Sequence, residues 1–167
     1  MKDMEPPDSH HLSAAEGWLG LGDWKEAVEE LKKIPQERRR NPEVLEVMRE
    51  ILAQAGKWRM AAEVAGHLVN IKPEEPDAWV ALAYATRRTD GGGLKRARGI
   101  LVRAQRRFPK EAIIAYNLAC YDCQLGNQEA ALKWLAKAFA TGRARELRSM
   151  ALEDRDLEPL WAKIREQ

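Results

Sequence analysis

Cysteine is nearly missing: the 167 residues hold only Cys120 and Cys123. Two neighbouring thiols build no disulfide framework, and the expectation is a reducing, cytoplasmic setting. Long apolar runs are missing too. None approaches the roughly 20 residues a helix needs to cross a bilayer, so no membrane contact is expected. The opening Met-Lys-Asp-Met-Glu-Pro-Pro-Asp is acidic and broken by proline, unlike a secretory leader. Net charge is small, +2 from 28 Lys and Arg against 26 Asp and Glu. That balance excludes a chain that grips nucleic acid or a membrane surface with its whole exterior. Aromatics make up 7% of the residues, yet six of them are Trp. What is abundant is charge diluted into apolar sequence: 32% charged, 45% hydrophobic, mean hydropathy −0.55. Helices that each keep one wet face have this composition.

The organisation lies in a repeat. Gly22, Trp24 and Ala27 recur as Gly56, Trp58 and Ala61, a step of 34 residues, and Pro42 recurs as Pro76. Gly92 and Ala97 follow after a step of 36, then Gly126 and Ala131 after 34 again. The two extra residues fall in Asp90-Gly91-Gly92-Gly93, a loop where insertion costs little. Each unit reads as an apolar first helix, a Gly that ends it in a left-handed turn, and a second helix. The second helix carries Ala five residues after the Gly, where a small side chain lets the pair approach closely. Pro73 and Pro109 close two of the units.

These residues resemble the tetratricopeptide repeat family, with its period of about 34 residues and its Trp, Leu-Gly, Tyr, Ala, Phe and Pro positions. Repeat 3 matches through Trp79, Leu82, Ala83, Ala97, Leu101, Ala104 and Pro109. Repeat 2 matches through Leu45, Gly56, Trp58, Ala61, Leu68 and Pro73, and repeat 4 through Leu118, Ala119, Gly126, Ala131, Leu135 and Ala138. Repeat 1 departs most, having Arg39 where a closing Pro would stand, as a terminal repeat can. The resemblance implies an all-α, right-handed superhelical solenoid in one domain over residues 1–167. Its repeats fall at about 8–41, 42–75, 76–111 and 112–142, with capping helices at 143–167. Leu147, Met150, Leu157, Leu160 and Trp161 are expected to cover the open side of repeat 4, with Asp156 starting a capped turn.

No catalytic constellation emerges, and the chain is read as not an enzyme. Cys120-Tyr121-Asp122-Cys123 has the spacing of a redox pair but sits inside a helix, not at its start. A zinc site would need two more ligands. His10, His11 and His67 read as solvated or packing residues. Gly91-Gly92-Gly93-Leu94-Lys95 lacks the Gly-Lys-Ser/Thr of a phosphate loop and follows no strand. No cofactor or metal is implied.

Function must therefore come from a surface. In the family, first helices line a concave groove and second helices its convex back. Carried over, the groove would be acidic at Glu46 and Glu50, with Tyr84, Arg87, Arg88, Tyr116 and Asn117 at its centre. Asn117 stands where family members often place an Asn that bonds the ligand backbone. Tyr offers rigid contact area and Arg a two-pronged clamp for carboxylate, a mixture suited to a protein or peptide partner. A branch of the family grips acidic chaperone tails through Lys, Asn and Arg. Leu12, Glu16, Asp77 and Ala81 occupy those positions here, which argues against that ligand. The alternative surface is basic: Lys95, Arg96, Arg98, Arg103, Arg106, Arg107 and Lys110, with no acid among them. An acidic protein could dock there. Nucleic acid is the weaker reading, because no aromatic stacking platform interleaves. Self-association through apolar end faces is a further route.

Overall fold

The computed structural model describes residues 4–166. Met1-Lys2-Asp3 of the acidic opening and Gln167 of the expected cap lie outside it. Every regular element among the described residues is helical. Their packing resolves into two compact units, Met1–Thr89 and Asp90–Gln167.

The first unit holds α1 (Asp8–Gly20), α2 (Trp24–Lys33), a short 3-10 turn (Gln36–Arg38), α3 (Pro42–Gln54), α4 (Trp58–Ile71) and α5 (Pro76–Arg88). Consecutive helices pack as antiparallel pairs, α1 on α2 and α3 on α4, with α5 laid against α4. Local chemistry sets the starts. Asp23 accepts the backbone N–H groups of Lys25 and Glu26 at 3.2 Å, and Asn41 accepts that of Glu43 at 2.9 Å ahead of Pro42. Each satisfies donors the first turn leaves orphaned, worth about 1 kcal/mol against Ala. Gly22 and Gly56 end α1 and α3 at φ 79° and 68°, where a side chain would be strained. The interior is Ala15, Leu31, Ile34, Val44 and Ile51, continued by Leu68, Val69 and Ala78.

Arg39, in place of the closing Pro, takes over the stop. Its guanidinium donates to the carbonyls of Ile34 and Lys32, both at 2.7 Å, capping the frayed end of α2 with charge. Beside it, Arg38 pairs with the buried Asp8 at 2.7 Å and ties α1 to the 3-10 turn.

The second unit holds α6 (Gly93–Arg107), α7 (Ala112–Gln124), α8 (Gln128–Phe139), α9 (Ala144–Glu153), a 3-10 turn (Arg155–Leu160) and α10 (Trp161–Arg165). Here α7 packs against both α6 and α8, α9 lies on α8, and the 3-10 turn lies on α7. The inserted loop differs from the single-glycine turns. Gly91 and Gly93 take positive φ, 70° and 79°, whereas Gly92 does not; two extra residues leave room for two left-handed steps. The Ala five residues after each repeat glycine (Ala27, Ala61, Ala97 and Ala131) is fully buried in all four repeats.

A polar knot fastens α6, α7 and α8. Asp122 is fully buried and accepts from Arg98 Nε at 2.7 Å, Trp134 Nε1 at 3.1 Å and Asn127 Nδ2 at 3.2 Å. A carboxylate is tolerated in an interior only when satisfied this way.

Candidate functional site

In the first unit the groove positions lie on α3 and α5. Residues 77, 81, 84 and 88 are spaced to share one face of α5. At its start a cleft of about 260 Å³ is walled by Glu46 and Arg49 from α3, Lys72 and Glu75 from the α4–α5 connection, and Asp77 and Ala81 from α5. Lys72 spans it, with Nζ 2.8 Å from Glu46 and 3.3 Å from Glu75. The hydrogen bond to Glu46 holds this ammonium above its ordinary range; burial opposes the shift and Glu75 reinforces it. Glu50 pairs with Arg49 at 3.2 Å. The acidic end foreseen from Glu46 and Glu50 is thus laced with cations that lie on neighbouring residues rather than on the groove stripe.

Further along the same face stands an aromatic–cation stack. The Arg88 guanidinium carbon lies 3.6 Å from the Tyr84 ring centroid and 5.1 Å from that of Trp58. The two rings meet edge-on, centroids 5.9 Å apart at 71°. Rings and guanidinium attract one another in this geometry. Tyr84 nevertheless remains 44% exposed. Arg87 is half-buried beside it. Trp58, at the first position of α4 and read from the sequence only as a repeat marker, belongs to this surface.

The second unit treats its groove positions differently. Tyr116 is buried and its hydroxyl donates to Asp154 at 3.0 Å. Burial, then the neighbouring Cys120 and Asp154, push the Tyr116 phenol far above its ordinary value. The Asn117 carboxamide donates to the Ile113 carbonyl of its own helix at 2.9 Å. Cys120 Sγ lies 3.4 Å from Asp154, and Gln124 Nε2 donates to the Asp156 carbonyl at 3.2 Å. The chain's own C-terminal segment therefore occupies this face. Tyr116 is corrected accordingly: it is enclosed and bonded to the cap, so it does not face a free groove. Asn117 stays half-buried, its carboxamide bonded to its own helix.

The cap itself needs two corrections. Leu147, Leu157 and Leu160 are buried as expected, but Met150 is 39% exposed on the outer side of α9. The turn is capped by Asp154, not Asp156: its Oδ1 accepts the Asp156 backbone N–H at 2.9 Å. Trp161 is half-buried and anchors through Nε1 to the Ala151 carbonyl at 3.0 Å.

On α6 and the connection after it, Lys95, Arg96, Arg103, Arg106, Arg107 and Lys110 are exposed. Arg98 is not part of an open basic patch, because Asp122 holds it. Both cysteines are buried, and burial followed by Asp156 and Asp154 pushes the Cys123 thiol up. No group of three metal-ligating side chains assembles among the described residues, and none of their helices is long and apolar enough to cross a membrane.

No protein-family model matches the sequence, and no curated protein matches it. Solved structures do. The thermophilic TPR protein TTC0263 of Thermus thermophilus superposes with TM-score 0.71 at 22% identity, over 94% of this chain and 82% of that one. MamA residues 41-end from Desulfovibrio magneticus RS-1 gives TM-score 0.70 at 17% identity, covering 82% and 76%. A further MamA crystal structure gives 0.66 at 20% identity, covering 98% and 92%. The fold is that of a tetratricopeptide-type repeat protein. In this tetratricopeptide-type solenoid Tyr84 on α5 is exposed, whereas the corresponding face of α7 is covered by its own chain.

Proposed function

We propose that the protein is a non-catalytic interaction scaffold whose first unit binds a partner peptide along the α3–α5 face. The observation that carries this is the Trp58–Tyr84–Arg88 stack, open to solvent at Tyr84, on the face that also walls the Lys72 cleft. The stack is rigid, apolar over its rings and cationic at one edge. It suits a peptide with an aliphatic or aromatic side chain near a carboxylate. The cleft, with Lys72 between two acids, supplies both donors and acceptors for backbone groups. Fold likeness supports the general class of activity, and the peptide groove is this reading's own step.

The test is peptide selection on the full chain, followed by affinity measurement. Selected peptides should lose at least tenfold affinity with Tyr84→Ala and with Arg88→Glu. They should be indifferent to Arg103→Glu with Arg106→Glu. Equal affinity across all three proteins would refute the face. A second reading, an acidic partner on the outer helix α6, draws on the six exposed cations of that helix and the connection after it and is weakened by the commitment of Arg98 to Asp122. Loss on the α6 variant alone, with steep salt dependence, would transfer the function there.

A further inference from the structure

The segment after α9 is seated on α7 as a ligand would be. Three side-chain donors of α7 aim at its acceptors: Tyr116 Oη and Cys120 Sγ at the Asp154 carboxylate, and Gln124 Nε2 at the Asp156 carbonyl. Leu157 and Leu160, three and six residues after that acid, are fully buried, and so is Ile164. Between them, Arg155, Glu158 and Pro159 stay exposed. One acid and regularly spaced aliphatic side chains thus face inward while the intervening residues face water. Recognition works through side chains of a short 3-10 turn, not through a long helix packed along its length.

We propose that the α7 face is a peptide site in its own right, held in the resting chain by Asp154–Ile164. The external occupant is a partner segment carrying an acidic residue with aliphatic residues three and six positions later. The site is separate from the α3–α5 face and does not depend on it. A tethered segment competes at an effective concentration on the order of millimolar, so a partner in trans gains entry only when the chain's own copy is weakened or the partner binds more tightly.

The experiment uses the full chain and a fluorescein-labelled peptide of the sequence Asp154–Glu166, read by anisotropy. Against the unaltered chain, binding should be weak. Against the chain carrying Leu157→Asp and Leu160→Asp, which weakens its own copy, binding should tighten at least tenfold. A peptide with Ala in place of its acid should lose that gain, and adding Tyr116→Phe to the chain should reduce it several-fold. A variant that keeps its helical circular dichroism yet binds the peptide no better than the unaltered chain overturns the proposal. If that variant does not fold, hydrogen exchange of the unaltered chain decides. Release of residues 154–164 well before global unfolding supports an exchangeable occupant, and exchange only with global unfolding overturns it. A concentration-dependent dimer of the unaltered chain that the peptide dissolves would assign the site to a second copy, overturning the separate partner.

Discussion

The helices α5 and α7 open repeats 3 and 4, and their residues correspond with a step of 36. Tyr84 answers to Cys120, Arg88 to Gln124, Val80 to Tyr116 and Thr86 to Asp122. At the first pair the exposure is 44% against 4%. The same position on the same kind of helix is a free aromatic platform in one unit and a covered thiol in the other. Small or amide groups at Cys120 and Gln124 leave depth for a segment to settle. The stacked Tyr84 ring and Arg88 guanidinium stand in that space instead. What a repeat does with its inner face thus depends on two or three side chains, not on the helix pair beneath them.

The comparison can be broken most forcefully at Asp122. Asp122→Ala leaves Arg98 and Trp134 as unanswered donors and should lower stability by about 3–5 kcal/mol, measured by urea unfolding. Next, Leu157→Ala opens a cavity under the seated segment, with an expected loss of about 2–3 kcal/mol in the same measurement. Alkaline pH should act on the second unit through Cys123. Its folded pKa lies above the ordinary 9.0, so the native state keeps its proton where the unfolded chain begins to lose it. The stability it contributes is present below about pH 9 and declines as pH rises toward the folded value. Melting temperatures at pH 8 and pH 10 should show a steeper fall for the natural chain than for Cys123→Ser. The smallest effect is expected from imposing the α7 pattern on α5. Tyr84→Cys with Arg88→Gln removes one aromatic pair and two cation–π contacts, a loss of about 1–2 kcal/mol by thermal melting. A much larger loss would mean the Trp58 stack is a structural pillar, not an open platform.

The repeat was legible because its physics is local. Gly22 and Gly56 mark left-handed turns and Ala27, Ala61, Ala97 and Ala131 mark close approaches, each within a few residues of its cause. The face of α7 was not legible for the opposite reason. Tyr116 meets Asp154 across 38 residues, and no spacing rule connects them. Asp156 looked like the turn's cap because Leu157, Glu158 and Pro159 follow it. Asp154 is the one with its carboxylate also drawn to α7. Arg98 belonged to a run of cations by sequence, and only folding reveals the acid 24 residues on that removes it. Trp58 carried two meanings, repeat marker and surface, and the sequence expressed only the first.

The loop at Asp90–Gly93 offers a practical seam. It falls at the division between the two units, and Asp90 and Gly91 are exposed. A protein-ligation junction placed there would let one half be isotope-labelled and the other left silent, so that nuclear magnetic resonance could report on the α5 platform and the α7 latch one at a time within the intact chain.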